Sequence, residues 1–170
     1  MPTILALGAW LKNAACLWQG GGGVAWSPLH GDLATPEACE ALEASAQRLL
    51  DQAGGRVDAL AHDLHPDFHS TRLAQSLAAE LGVPALPVQH HPAHIGVVLA
   101  EQDLAGPVIG LALDGVGLGT DGLAWGGELL YVAAGGWERL GHLYPLALPG
   151  GDTAAREPCR SSRPVPSWRH

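Results

Sequence analysis

His90 and His94 stand four residues apart, a spacing that stacks both imidazoles on one face of a helix. Further along, the apolar run Val108–Leu113 ends at Asp114, and Gly115, Gly117, Gly119 and Gly122 follow. Without a Cβ, these glycines let the backbone approach whatever Asp114 addresses, and their amides can cradle an anion. Two imidazoles and a carboxylate can ligate zinc or iron and leave a position open for substrate. Beside a bare-backbone turn, they could hold a metal against a phosphate. The plainer alternative has the histidines capping backbone groups or facing solvent at a helix start. For the glycines, the alternative is a β-hairpin with type I′ or II′ turn chemistry. That suits Asp121-Gly122 but accounts less well for the alternating glycines behind Asp114. His91 points away from the pair and suits a supporting hydrogen bond.

Two further segments carry candidate chemistry. The stretch from His62 to Thr71 follows a predicted strand and precedes a predicted helix, a usual place for ligand contacts in α/β sheets. His65, Asp67 and Arg72 are its candidate substrate contacts. Alternatively, Asp63 and Asp67 shape the turn and Ser70 caps the helix. Lys12 and Asn13, at the first predicted hairpin, either reach a phosphate or form a solvated turn. No nucleophilic triad is legible: Cys16 lies in an apolar strand, and Ser27 and Ser45 lack a nucleophile-elbow context. The glycines do not spell a P-loop either.

The elements that must position these residues follow from periodicity and punctuation. Strands are predicted at 4–9, 14–19 and 24–27, with turns at 11–13 and 20–23. Thr35-Pro36-Glu37 is a helix start, and Gly54-Gly55 its end. A strand at 57–61 leads to a helix capped by Ser70, with Leu73, Leu77 and Leu81 on one stripe and Gly82 closing it. A strand at 83–88 precedes a helix starting near His90, with Ile95, Val98 and Leu99 turned to the core. Val108–Leu113, with no polar face, reads as a fully buried strand. The order β-β-β-α-β-α-β-α predicts an α/β fold, a ribonuclease-H/actin-like lobe whose mixed sheet is flanked by helices. Residues 107–143 resemble the opening meander of a second similar lobe. The expected divisions are a first lobe at 1–105, the first strands of an incomplete second lobe at 106–160, and a disordered tail at 161–170.

Composition narrows the function classes. The 170 residues carry a formal charge of −8, with Lys12 the sole lysine, which argues against a general nucleic-acid or membrane-surface binder. Cys16, Cys39 and Cys159 are odd in number and widely spaced, as in a reducing compartment. No basic leader precedes a long apolar stretch, and no run approaches roughly 20 apolar residues, so a cytoplasmic protein is expected.

Several segments together resemble one family. They are Ile4–Asn13, His62–Asp67 with Ser70–Arg72, Val88–Ile95, Leu113–Gly122 and Trp125-Gly126-Gly127-Glu128. Pro149–Asp152 and Arg156–Pro158 extend the likeness, which covers roughly residues 3–160. The chain is similar to HypF, the carbamoyltransferase of nickel–iron hydrogenase maturation. The resemblance implies an actin-like, ATP-handling domain related to the tRNA threonylcarbamoyl transferases. In that family a neighbouring domain makes carbamoyl adenylate from carbamoyl phosphate and ATP. The actin-like domain then transfers the carbamoyl group to the C-terminal cysteine of HypE, and dehydration gives the cyanide ligand of the hydrogenase iron. By motif, His90 and His94 match the metal-binding pair and Asp114 the aspartate ligand at the catalytic centre. The metal would be zinc or iron, with Lys12, Asn13, Gly115, Gly117 and Gly119 beside the adenylate. Pro92 replaces a usual histidine, Cys159 a usual aromatic and Trp10 a usual polar residue. The family's upstream domains and later phosphate loop have no counterpart here, and the likeness stops at Arg160, so a truncated fragment is expected. A non-catalytic metal-binding or HypE-docking fragment is the second reading. A tRNA-modifying relative suits the fold but not the His62–Asp67 and Trp125–Glu128 segments.

Overall fold

The computed structural model describes residues 1–21 and 23–145. The predicted tail at 161–170, the Pro149–Pro158 motifs and Cys159 lie outside the described residues. The first three strands, β1 (Thr3–Ala6), β2 (Cys16–Gln19) and β3 (Gly23–Trp26), form an antiparallel meander. Helix α1 (Pro36–Gln52) follows, started as its sequence predicts: the Thr35 hydroxyl accepts from the Ala38 amide, and Pro36 takes the first position, where no donor is needed. Strand β4 (Ala59–Asp63) pairs parallel with β1, and β5 (Ala85–Val88) pairs parallel with β4, giving the order β3-β2-β1-β4-β5. Helix α2 (His69–Leu81) links those two strands, and α3 (His90–Glu101) follows β5.

One core holds this sheet. Leu5, Leu17 and Leu60, from its three central strands, are fully buried against Leu42, Ala46 and Leu49 of α1 and Ala74 and Ala78 of α2. Leu73, Leu77 and Leu81 are only partly buried at its margin. The buried stripe of α2 is instead Ser70, Thr71, Ala74 and Ala78, because small side chains let this helix sit close to β4. Ser70 is not a cap: the helix starts one residue earlier, and its hydroxyl donates 2.9 Å across to the Ala9 carbonyl. Gly82, at φ 69°, closes the helix as predicted.

Strand β6 (Val108–Ala112) pairs antiparallel with β9 (Glu128–Ala133), which pairs with β10 (Gly136–His142). A hairpin of β7 (Gly117–Leu118) and β8 (Ala124–Trp125) is inserted between β6 and β9. Ile95 of α3 packs with Ala112 and Leu130 beneath this smaller sheet. Two expectations fail here. Val98 points outward, 51% exposed, and β6 is not buried on both faces, since Ile109 and Leu111 are 68% and 64% exposed. Among the described residues, no helix is long and apolar enough to cross a membrane.

Candidate functional site

The site forms where β4, α3 and the loop after β6 meet. Strand β4 runs two residues beyond its predicted end, so Asp63 is its last residue rather than part of a loop. Asp63 is buried. Its Oδ1 accepts from the His65 amide (2.8 Å), the predicted turn contact, while Oδ2 lies 3.2 Å from His90 Nδ1. Its carbonyl accepts from the Thr71 hydroxyl at 3.1 Å and from His62 Nδ1 at 2.6 Å, which fixes the strand end against α2.

Gln89 caps α3, accepting from the His91 amide at 2.8 Å. The Gln89 amide nitrogen donates to the Leu118 carbonyl (3.1 Å) and faces His91 Nδ1 at 3.0 Å. An amide nitrogen only donates, so His91 Nδ1 accepts and the ring carries its proton on Nε2. That Nε2 lies 3.4 Å from Asp114 Oδ2, in a ring that is fully buried. Burial, with the charge of His90, holds His91 below the usual histidine range, despite the attraction of Asp114. His91 thus faces the same carboxylate rather than pointing away as expected, and its Nε2 makes no aligned hydrogen bond to it.

His90, His94 and Asp114 come together. His90 Nε2 is 3.1 Å from both Asp114 Oδ2 and His94 Nε2, and His94 Nε2 is 3.8 Å from that carboxylate. One ligand atom from each residue lies within 4.8 Å of the others. With its Nδ1 proton directed at Asp63, a neutral His90 turns its Nε2 lone pair toward the Asp114 carboxylate, an arrangement that repels unless a cation or proton sits between them. The Asp63 hydrogen bond and the charge of Asp114 hold His90 above the usual histidine range, against the effect of burial. Burial alone would raise Asp63, but His90 and the His65 amide outweigh it and leave it below the usual carboxylate range. Both Asp114 carboxylate oxygens are buried and none of the nearby nitrogens is aligned as a hydrogen bond to them. These atoms fit a divalent cation: the donor set is right for one, and the orphaned oxygens need one.

Glycines allow the close approaches, each in its own way. A Cβ at Gly117 would lie 2.7 Å from His90, so only glycine lets β7 rest on that ring. At Gly119 it would strike Trp125, and the Gly119 amide already donates to the Leu123 carbonyl (2.8 Å). Gly115 has open space around its Cα. Asp121-Gly122 lies in the β7–β8 turn, where Gly122 takes φ 78° and donates to the Gly119 carbonyl.

The remaining candidates are distributed around the site. A cavity of about 520 Å³ lies beside Asp63 and His90, walled by Trp10, His65 and Phe68 and by Gly117 and Leu118 of the hairpin. The His65 and Phe68 rings stack at 4.3 Å. Asp67 and Arg72 are exposed, with an Arg72 Nη2 donating to the Asp67 carbonyl at 2.6 Å. Lys12 is exposed at φ 46°, its amide on Asp32 Oδ1. Asn13, by contrast, is buried. Its side-chain amide donates to the Leu7 and Ala9 carbonyls, both at 2.8 Å, and its Oδ1 faces His30 Nδ1 at 2.9 Å. A second cavity, of about 280 Å³, shares Ala9, Asp63 and His90 with the first.

Two family models match the chain: the HypF Kae1-like domain over residues 1–101 and the second subdomain of the carbamoyltransferase Kae1-like domain over residues 110–164. A carbamoyltransferase HypF homolog of Cupriavidus necator is 68% identical over 157 residues, 92% of this chain and 40% of the relative. Carbamoyltransferase HypF2 of the same organism is 57% identical over 160 residues, 94% of this chain and 20% of that relative. Among solved structures, full-length HypF in its phosphate- and nucleotide-bound form matches 90% of this chain and 20% of its own, at TM-score 0.80 and 37% identity. HypF of T. kodakarensis matches 94% and 21%, at TM-score 0.83 and 42% identity. YeaZ from Pseudomonas aeruginosa, 23% identical at TM-score 0.54 over 88% of this chain and 71% of its own, shares the actin-like fold alone. The chain thus spans less than half the length of the curated relatives described.

Proposed function

The chain belongs to the HypF family, of which it carries the Kae1-like region, and from that premise we propose that its site takes part in ATP-dependent carbamoyl transfer. The substrate in this reading is carbamoyl adenylate, made from carbamoyl phosphate and ATP, and the acceptor is the C-terminal cysteine of HypE. The product would serve cyanide-ligand synthesis in hydrogenase maturation. The convergence of His90, His94 and Asp114 carries the reading, because it fits a divalent ion, zinc or iron. The nucleotide and phosphate of the HypF relative support an adenylate as the occupant.

His90, His94 and Asp114 would hold the ion, with Asp63 fixing the His90 tautomer. The ion would polarise a carbonyl or phosphoryl oxygen as a Lewis acid. Trp10, His65 and Phe68 line the adjoining cavity with stacked rings, against which a planar base could lie. The reading places the chain in the cytoplasm, where thiols such as Cys16 and Cys39 stay reduced.

Zinc content and calorimetric titration of the wild type and of His90→Ala/His94→Ala test the ion site. We expect about one zinc per chain, lost in the double variant. A folded wild type that takes up neither zinc nor iron would overturn the site. Transfer to HypE is tested with separately supplied adenylate-forming domains, and labelled carbamoyl on HypE that depends on this chain is the expected result.

A further inference from the structure

Glu128 is a fully buried carboxylate at the first position of β9. Arg139 of β10 grips it with both arms, Nε to Oε2 at 2.6 Å and Nη2 to Oε1 at 2.9 Å. Burial alone would raise the Glu128 carboxyl, but the guanidinium and the Gly126 amide hold it below the usual glutamate range. Taking the Glu128 carboxylate out of water costs several kcal/mol, which its pairing with the partly exposed Arg139 must first offset. Net stability is therefore weak grounds for the pair.

Its contacts show what it does fix. Glu128 Oε1 also accepts from the Gly126 amide at 3.0 Å. Gly126 lies so close to the loop after β6 that a Cβ there would meet the Gly115 carbonyl at 2.4 Å. Next to it, Gly127, at φ 67°, donates its amide to the Asp114 carbonyl at 3.3 Å. The Arg139 guanidinium lies 4.0 Å over the Trp125 ring. Trp125 Nε1 donates to Asp121 Oδ1 at 2.9 Å, and that same oxygen accepts from the Leu123 amide, closing the β7–β8 turn. One ion pair thus holds the strand that supports Asp114 and, through Trp125, the hairpin that rests on His90.

We propose that Glu128 and Arg139 form a positioning pair that sets the Asp114 carboxylate opposite His90 and His94 through the backbone of Gly126 and Gly127. The pair acts through other residues, and what Asp114 then binds rests on the ion site proposed above. Wild type, Glu128→Gln, Arg139→Lys and the apolar double variant Glu128→Leu/Arg139→Leu are compared by zinc titration and by amide hydrogen exchange. Glu128→Gln and the apolar pair should keep native protection in β1 and β4 while the Gly127 amide exchanges at least about tenfold faster. Their zinc dissociation constants should rise about 10- to 100-fold, as for other groups that orient a metal ligand. Arg139→Lys keeps the charge, loses the fork and should fall between. A folded Glu128→Gln protein with native exchange at Gly127 and native zinc affinity would sink the proposal. So would global unfolding of both Glu128 variants, since the pair would then be a structural staple. Accelerated Gly127 exchange in a protein whose wild type takes no zinc would uphold the positioning and remove only the ion.

Discussion

The two sheets open with the same antiparallel three-strand meander and are completed differently. In the larger sheet, β4 and β5 extend the β1 edge in parallel, and α1 and α2 bury it in a cluster of thirteen apolar residues. In the smaller, β6 has no strand on its other edge among the described residues, and the buried cluster is Ile95, Ala112 and Leu130. In this sheet the Glu128–Arg139 pair fixes the geometry of the end that meets Asp114. The site draws on both kinds of support. His90 is held by Asp63 from the apolar-cored sheet, Asp114 by the ion-paired one.

The contrast is broken most directly by a cavity in each cluster. Leu60→Ala should cost about 2–5 kcal/mol and unfold the whole chain, read by urea denaturation. Leu130→Ala should fall at the lower end of that range and strip protection from β9 and β10 first, read by hydrogen exchange. If Leu130→Ala instead unfolds β1 and β4 in step, the two sheets are one cooperative unit and the contrast is lost. Gly117→Ala comes next. Its methyl group meets the His90 ring, so we expect about 1–3 kcal/mol of strain, with weakened zinc binding in a calorimetric titration.

Acid sharpens the comparison further. The folded-state pKa of Glu128 lies below its unfolded value, so its contribution is complete above the usual glutamate range and is lost as pH falls through the folded value. As pH falls below the usual glutamate range, amides of β9 and β10 should lose protection before those of β1 and β4; simultaneous loss would count against an ion-paired order. The smallest effect is expected at the open face of β6. Ile109→Thr should change stability by no more than about 0.5 kcal/mol, because that side chain is mostly exposed. A larger loss in thermal unfolding would show that the face is covered in solution.

What was legible in the sequence was what local chemistry decides. The Thr35-Pro36 start, the Gly82 stop and the succession of strands and helices follow from spacing or backbone preference, whereas the grouping of His90 and His94 with Asp114 is one of two open readings of the residues that the HypF resemblance favours. What was missed depends on partners distant in the chain. The Ser70 hydroxyl looked like a cap because its true acceptor, the Ala9 carbonyl, lies sixty-one positions away. The run Val108–Leu113 looked buried on both sides, since an apolar run does not reveal whether another element packs over each face. Asp63 went unassigned as a His90 partner because β4 extends two residues past its predicted end. An acid heading the apolar run Glu128–Ala133 was the available signal for the Arg139 pair.

The Ala9 carbonyl accepts from both Asn13 Nδ2 and the Ser70 hydroxyl, which uses both of its lone pairs. Ala9 borders both cavities beside His90. A solute there therefore finds no free lone pair on the Ala9 carbonyl. Of the three residues that both cavities share, polar contact with a solute then falls to Asp63 and His90.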